Sequence, residues 1–215
     1  MSQPQGPRRI GLFGGSFDPP HAGHLHVARA ARGRFGLERV VFVPAAEPPH
    51  KPGRLLAPGR DRLALLRLLL AGEPRCEVSE IELARGGRSF MIDTVRALPA
   101  ALGEPADCEI YLLLGSDNLE GLPRWREARA LLERVQPVVV RRGPELAVQI
   151  APLAAQLGEE LVRKLERGAL DLPPVELSST ELREALPESE LDARLLPPAL
   201  LEYIRAHGLY GTRRA

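Results

Sequence analysis

The sequence predicts an α/β fold in which a doubly wound parallel sheet carries helices on both faces and a helical addition at its C-terminal end. Three observations predict it: short apolar runs alternate with helical patterns, the loop after the first run is rich in Gly and Pro, and the final part of the chain shows helical periodicity. The chain has 215 residues, of which 44% are hydrophobic and 27% charged, so it can bury a core of its own. We find no linker and expect a single domain over residues 1–215, with its helical part beginning at about residue 178.

The first third of the chain alternates strand and helix. Residues 9–13 form an apolar run that predicts a buried strand, and a Gly- and Pro-rich loop follows it. Residues 22–35 have the pattern of a helix with small residues on one side, and the β-branched run at residues 40–43 predicts a second strand. A proline-rich loop over residues 45–58 then leads to an amphipathic helix over residues 60–71.

The middle of the chain continues the same order. Residues 77–83 alternate polar and apolar side chains, which is typical of a strand. Ser89 is predicted to cap a helix that runs to about residue 102, because a serine hydroxyl accepts N–H groups at a helix start. Apolar runs at residues 110–114 and 138–140 predict two more buried strands.

Helical patterns dominate the remainder of the chain. One covers residues 145–167 with short turns, a second is introduced by residues 177–180, and the last covers residues 198–207. These segments form the predicted C-terminal addition.

Charge and cysteine content exclude several classes of protein. With 29 basic and 28 acidic side chains, the net charge is +1, so no basic field favours a nucleic-acid partner. No apolar run is long enough to span a bilayer, and the first residues lack the apolar region of a signal peptide, so we expect a cytoplasmic protein without a membrane partner. Cys76 and Cys108 cannot form a disulfide framework and are expected to be buried free thiols.

The loop after the first strand carries the main functional signal. It reads Gly14-Gly15-Ser16-Phe17-Asp18-Pro19-Pro20-His21-Ala22-Gly23-His24. Ligands of doubly wound sheets bind beyond the carboxyl ends of the strands, and the two glycines allow the backbone to approach a ligand closely. The following helix offers its positive N-terminal end, and His21 and His24 share a face of its first turn. This arrangement predicts a polyphosphate site.

Two other interpretations of this loop fit its spacing less well. A metal site made by His21, His24 and His26 is disfavoured, because His26 would lie about 200° around the helix from His24 and no further ligand follows at metal-binding spacing. We therefore expect His26 in the core. A dinucleotide-binding motif is excluded, because the spacing is not GxGxxG and histidines stand in place of the third glycine.

A second anion-binding pattern lies more than 150 residues downstream, at Leu177-Ser178-Ser179-Thr180-Glu181-Leu182-Arg183. Ser178, Ser179 or Thr180 is expected to cap a helix, and a cap of this kind is common. Arg183 follows Thr180 by three residues and Ser179 by four, so the cap hydroxyls, the first backbone N–H groups and a guanidinium can converge on one anion.

Together the two patterns resemble the signatures of the nucleotidylyltransferases that carry HxGH and SSTxxR motifs. Further segments extend the resemblance over essentially the whole chain: Pro48-Pro49-His50-Lys51, Arg88-Ser89-Phe90-Met91, Gly115-Ser116-Asp117 with Trp125, Arg141-Arg142 and a closing Gly208-Leu209-Tyr210. In this order they are similar to the bacterial nicotinate-nucleotide adenylyltransferases. The resemblance implies a Rossmann-like fold and transfer of AMP from ATP to nicotinate mononucleotide, which gives deamido-NAD and pyrophosphate in NAD biosynthesis.

The resemblance also implies roles for individual residues. The residues expected to act in catalysis are His21, His24 and Arg183. The residues expected to bind ATP are Gly14, Gly15, Ser16, Phe17, Asp117, Ser178, Ser179 and Thr180. The residues expected to bind the mononucleotide are His50, Lys51, Ser89, Phe90, Met91, Trp125 and Arg142. Asp117 is assigned to a ribose hydroxyl, although a helix cap is an equally common place for such a residue.

No carboxylate cluster for a protein-held metal is evident, so Mg²⁺ is expected to arrive with ATP. One departure concerns Met91, which stands where the family commonly has Thr and removes a hydroxyl near the expected nicotinate carboxylate. Backbone N–H groups at this helix start remain available to that carboxylate. An adenylyltransferase acting on nicotinamide mononucleotide or another phosphorylated acceptor, and a non-catalytic nucleotide-binding regulator, are the alternatives.

Overall fold

A computed structural model describes residues 7–48, 56–141, 146–173, 178–188 and 196–212. Within them, six parallel strands form one sheet in the order β3-β2-β1-β4-β5-β6. Their bounds are β1 Arg9–Gly15, β2 Arg39–Pro44, β3 Cys76–Val78, β4 Glu109–Gly115, β5 Gln136–Val140 and β6 Ala169–Leu170. This is the order of a doubly wound sheet, and it reverses direction between β1 and β4. The predicted fold class is confirmed.

Helices connect and cover the strands. Their bounds are α1 Ala22–Phe35, α2 Gly59–Leu69, α3 Ile81–Arg85, α4 Met91–Ala101, α5 Ala128–Arg134, α6 Leu146–Ile150, α7 Ala154–Leu157, α8 Glu159–Arg167, α9 Ser179–Ala185 and α10 Pro198–Ala206. Helix α1 ends at Gly36, whose φ of 64° is the left-handed conformation that stops many helices. No helix in the described ranges is both long and apolar enough to cross a membrane.

The core lies on both faces of the sheet because successive strand residues point to opposite sides. Leu12 and Val41 belong to one apolar cluster, whereas their neighbours Phe13 and Phe42 belong to another, which packs beneath α1 and α2. A third cluster joins α2 to the C-terminal helices and includes Leu65, Leu69, Leu182, Leu186, Leu196, Leu200 and Ile204. Apolar packing on both faces of the sheet therefore fixes the central strands, and with them their carboxyl ends.

The structure corrects three local predictions and adds one strand that was not predicted. The predicted strand over residues 77–83 is wrong beyond Val78, because the chain turns into α3 and buries Glu82, whose carboxylate accepts a hydrogen bond from Thr94 at 2.6 Å. Ser89 does not cap α4; Phe90 occupies the cap position without a side-chain bond. Strand β6 was not predicted, since two residues show no periodicity. The cysteines are free but only half-buried, and burial raises the pKa of both thiols.

Candidate active site

Two adjoining cavities lie at the carboxyl ends of β1 and β4, where the strand order reverses. The larger cavity has a volume of about 660 Å³ and the smaller about 150 Å³. Residues of both walls, including Gly14, Met91 and Trp125, are shared, so the cavities form one continuous cleft. This position at a topological switch point is the usual ligand site of an open parallel sheet.

The cleft brings together the described residues that the sequence singled out. The larger cavity is lined by Gly14, Gly15, Ser16, Phe17, His21, His24, Asp117, Ser178, Ser179, Thr180 and Arg183. The smaller cavity is lined by Ser89, Phe90, Met91 and Trp125. The remaining three assignments, His50, Lys51 and Arg142, fall outside the described residues.

Each histidine of the first loop uses its Nδ1 atom to hold the start of α1. His21 is the N-cap, and its Nδ1 accepts the N–H of Gly23 at 3.1 Å, while the Nδ1 of His24 accepts the N–H of His21 at 3.2 Å. The ring centroids are 3.9 Å apart. A neutral imidazole that accepts at Nδ1 carries its proton at Nε2, so each ring has an N–H donor on its far nitrogen. Both rings lie in the wall of the larger cavity.

The glycines of the loop make room for side chains of the site itself. A Cβ atom on Gly14 would lie 2.4 Å from the Met91 Cε atom, and one on Gly15 would lie 3.1 Å from the Phe17 ring. At the end of β4, a Cβ atom on Gly115 would clash with Asp117 Oδ1. Gly14 and Gly15 were predicted to allow close approach by a ligand. They do line the cleft, but their missing side chains also seat Met91 and Phe17.

Asp18 is a buried acceptor beneath the larger cavity, with 1% of its surface exposed. Its Oδ1 atom accepts the backbone N–H of Ala57 at 3.1 Å and the hydroxyl of Tyr210 at 2.9 Å. Burial, together with the charge of Asp18, raises the pKa of Tyr210 well above its ordinary value. Arg62, also buried, donates to the carbonyl oxygens of Ser16 and Ala57 at 2.8 and 2.9 Å. The loop is thus fixed from α2 and from the chain's C-terminal segment.

Helix α9 begins against the same loop. Ser178 is its N-cap: the Ser178 hydroxyl accepts the Glu181 N–H at 3.2 Å, and the Glu181 carboxylate accepts the Ser178 N–H at 2.7 Å. Hydrogen bonds from Ser178 hold the pKa of Glu181 below its ordinary value. The predicted serine cap is confirmed. The Ser179 hydroxyl donates to the Pro19 carbonyl at 3.0 Å, which ties the helix start to the first loop.

Arg183 connects the two motifs. One of its terminal nitrogens donates to the backbone carbonyl of Asp18 and lies 3.9 Å from the Asp18 carboxylate, and the other donates to the Thr180 hydroxyl at 3.0 Å. Its side chain keeps 20% exposure at the cavity wall. A guanidinium has five N–H donors, so these bonds leave donors for a bound anion.

The smaller cavity is partly aromatic. Ser89 lies in its wall, where the hydroxyl accepts the Ala46 N–H at 2.8 Å instead of capping α4. Phe90 and Trp125 contribute aromatic surface, and the guanidinium carbon of Arg126 lies 4.8 Å from the Phe90 ring centroid. Such a wall suits a flat, electron-poor ring.

The expectation that His26 lies in the core is wrong, and the helix-cap alternative to the ribose assignment of Asp117 is not observed. His26 is exposed and lines neither cavity, because its position on α1 turns it away from the core. Asp117 is not a helix cap: Gly115 occupies that position before the short 3-10 turn Ser116–Asn118. Among the described residues, no group of three His, Cys, Asp or Glu side chains could hold a metal ion.

Several cleft residues escaped the sequence argument. They are Glu82, Asn118, Glu120, Arg124 and Arg126 in the walls, and Arg62 behind them; Tyr210 belongs to a segment that carries the resemblance but was given no role in the site. Arg126 adjoins the singled-out Trp125, which was a usable signal. The bond between Asp18 and Tyr210 joins residues 192 positions apart, and no sequence spacing indicates it.

Comparison with known proteins agrees with this geometry. A profile of the cytidylyltransferase-like family matches residues 12–185. A Dehalococcoides mccartyi protein described as a probable nicotinate-nucleotide adenylyltransferase is 36% identical over 204 residues, which cover 94% of this chain and 97% of that one. A Roseiflexus castenholzii protein with the same description is 40% identical over 202 residues, covering 94% and 98%.

Solved structures show the same fold at lower sequence identity. The nicotinic acid mononucleotide adenylyltransferase of Plasmodium falciparum, complexed with NaAD, superposes with a TM-score of 0.73 at 17% identity, covering 97% of this chain and all of that one. A second structure of that enzyme, complexed with APC, gives a TM-score of 0.69 at 16% identity, with the same coverage.

Proposed function

This chain belongs to the cytidylyltransferase-like family, and from that premise we propose that it transfers AMP from ATP to nicotinate mononucleotide, forming deamido-NAD and pyrophosphate. The observation that carries the proposal is the continuous cleft, in which the histidine loop and the start of α9 line one cavity and aromatic side chains line the next. The larger cavity is assigned to the ATP phosphates and the smaller one to the pyridine base. This is a nucleotidyltransferase activity of NAD biosynthesis.

The reaction needs positioning and charge stabilisation more than a strong base. A phosphate oxygen of the mononucleotide attacks the α-phosphorus of ATP in line, and the bond from the α-phosphorus to the bridging oxygen breaks as pyrophosphate leaves. The attacking phosphate is largely a dianion at neutral pH, since its second pKa is near 6. No side chain is therefore required to remove a proton from it.

The protein's part is to stabilise the charge that gathers around the α-phosphorus. The Nε2–H groups of His21 and His24 are assigned to the α-phosphate oxygens, where a preorganised donor is most effective. Arg183, the cap hydroxyls and the first N–H groups of α9 are assigned to the departing β- and γ-phosphates. Asp117 is assigned to a ribose hydroxyl, and Gly14, Gly15, Ser16 and Phe17 to the walls around the nucleotide.

Mg²⁺ is proposed to enter with ATP, whose phosphate oxygens would be its ligands. The cation would neutralise part of the charge of those phosphates. The described residues do not form a metal site that would replace those ligands. Asp18 lines the larger cavity; its Oδ1 atom accepts two hydrogen bonds, whereas its buried Oδ2 atom has no hydrogen-bond partner among the described residues and lies 3.9 Å from Arg183.

The acceptor is assigned to the smaller cavity and the loop beside it. Phe90, Met91 and Trp125 would enclose the pyridine ring, and Ser89 shapes the wall behind it. The assignments of the mononucleotide phosphate to His50 and Lys51, and of further contacts to Arg142, stay predictions. The cytoplasmic location and the absence of a nucleic-acid partner also stay predictions.

A pyrophosphate-release assay with three acceptors tests the proposal. Purified protein is given Mg-ATP with nicotinate mononucleotide, nicotinamide mononucleotide or phosphopantetheine, and the products are identified by chromatography. We expect pyrophosphate and deamido-NAD in equal amounts from nicotinate mononucleotide, at the highest kcat/KM of the three. Preference for another acceptor would identify a sibling enzyme, and ATP binding without turnover on any acceptor would identify a regulator.

A further inference from the structure

The smaller cavity contains two charged side chains of opposite sign among its described lining residues. Glu82 on α3 is 2% exposed, and its carboxylate accepts the Thr94 hydroxyl at 2.6 Å. Arg126 directly follows Trp125, just before α5. The other described lining residues are neutral, so these two set the electrostatic character of the cavity.

Arg126 is held at the wall by two contacts from α4 and its cap. Its guanidinium carbon lies 4.8 Å from the centroid of the Phe90 ring, which is cation–π distance. One terminal nitrogen lies 3.4 Å from the Asp93 carboxylate. The side chain is nonetheless 51% exposed, and the contact with Asp93 uses only one of five N–H donors. The guanidinium is thus positioned but retains donors for a ligand.

We propose that Arg126 is a specificity-determining residue that selects an acceptor base carrying a carboxylate. The inference rests on the proposed function, because it concerns the base that occupies the smaller cavity. A ribosylated nicotinate is dipolar, with a positive ring nitrogen and a negative carboxylate, whereas ribosylated nicotinamide has only the positive charge. The cavity offers one carboxylate and one guanidinium, which matches the dipolar base.

The chemistry of recognition is a charge-assisted hydrogen bond. A planar guanidinium donates to both oxygens of a carboxylate, whereas an amide offers one oxygen without charge and places an NH₂ group where the second oxygen would be. Arg126 would therefore bind the carboxylate of nicotinate more strongly than the amide of nicotinamide. The side chain at position 91 is a thioether and supplies no donor, and among the described lining residues Arg126 is the side chain that offers a carboxylate a positive charge.

Steady-state kinetics with two acceptors test this role. Arg126→Gln removes the charge, and Arg96→Gln serves as the matched control. Arg96 pairs with Glu127, the residue next to Arg126, at 2.6 Å and lines neither cavity. Values of kcat/KM are measured for nicotinate mononucleotide and nicotinamide mononucleotide with each protein, together with the melting temperature.

We expect Arg126→Gln to lower kcat/KM for nicotinate mononucleotide about 10- to 100-fold, mainly through KM, because a hydrogen bond to a charged group is lost. The value for nicotinamide mononucleotide should stay within about twofold, and Arg126→Lys should recover part of the loss. Arg96→Gln should change neither value.

An equal loss on both acceptors would overturn the proposal, because it would show that Arg126 only supports the cavity wall. An unchanged ratio of the two kcat/KM values would overturn it as well. Wild-type protein that fails to use nicotinate mononucleotide would instead contradict the proposed function itself, so the two failures are told apart by which protein shows them.

Discussion

At the residue scale, each of the two loop histidines holds the start of α1 through its Nδ1 atom, and the proposed contact with phosphate is assigned to its Nε2–H group. The Nδ1 atoms of His21 and His24 accept backbone N–H groups that would otherwise be unsatisfied at the start of α1. Their spacing predicted that they share a face, and the 3.9 Å separation of the ring centroids agrees. It did not anticipate that both rings replace the usual Ser or Asp cap. Substitution at either position therefore affects the helix as well as the ligand site.

His24→Ala is expected to remove most turnover while the fold survives. Loss of one preorganised donor to a transition-state anion typically lowers kcat about 10²- to 10³-fold, equivalent to roughly 3–4 kcal/mol. The lost capping bond should cost only about 1 kcal/mol of unfolding free energy. Both quantities are measurable, as kcat with saturating substrates and by urea unfolding.

His26→Ala is the control for that experiment, since His26 lies on the same helix, is exposed and lines neither cavity. Its turnover and stability should match the wild type. A folded His24→Ala protein with near-normal kcat would exclude His24 from the reaction.

At the element scale, α9 matters because it places a guanidinium against the first loop. Arg183 holds the Asp18 carbonyl and the Thr180 hydroxyl together, and Ser179 holds the Pro19 carbonyl. The short helix therefore joins, through hydrogen bonds, two segments that lie about 160 residues apart in the chain. The proposed anion-binding role of Arg183 and its observed contacts between the two segments depend on different properties of its side chain.

Arg183→Lys should separate these roles. Lysine keeps the charge but lacks the planar fork, so it cannot reproduce both bonds and also reach the departing phosphates. We expect a rise in KM for ATP and a fall in kcat, each about tenfold, with little change in KM for the mononucleotide. Steady-state kinetics with each substrate varied in turn measure this.

Tyr210→Phe is the control, because it removes one hydrogen bond from Asp18 without altering the described cavity walls. It should cost about 1 kcal/mol of stability and leave KM for ATP near its wild-type value. A comparable loss of ATP affinity in both variants would mean that displacement of the loop, rather than Arg183 itself, weakens binding.

Elements proved predictable where local pattern and burial agree. β1, β2, β4, β5 and α1 have apolar spacings that match their final environment, so their bounds were expected to within about two residues. The error after Val78 arose because a tertiary bond to Thr94 buries Glu82, which strand alternation would expose. The cavity walls were predictable where motifs supply them, whereas Arg62 and Tyr210 reach the site through packing that no local pattern encodes.

At the scale of the whole molecule, α2 links the sheet to the C-terminal helices. Its Leu66 packs in the cluster beneath the sheet, and its Leu65 and Leu69 pack in the cluster with α9 and α10. Arg62 on the same helix bonds to the first loop. We therefore propose that residues 1–215 form one cooperative unit, as the sequence suggested, and that the second motif depends on this packing for its position.

Leu200→Ala tests whether the chain unfolds as one cooperative unit. Leu200 is fully buried in the third cluster, so its truncation should lower the free energy of unfolding by about 2–5 kcal/mol. Trp125 is the single tryptophan and lies at the cleft, in the cluster on the other side of the sheet from α2. If the chain unfolds as one unit, its fluorescence and the far-UV circular dichroism should shift to lower urea together. Val148→Ala, at a position that is 66% exposed, should leave both midpoints unchanged.

A Trp125 transition that stays at the wild-type urea concentration while helical signal is lost earlier would mean that the C-terminal helices are a separate unit, and that α9 can leave the cleft without unfolding the sheet.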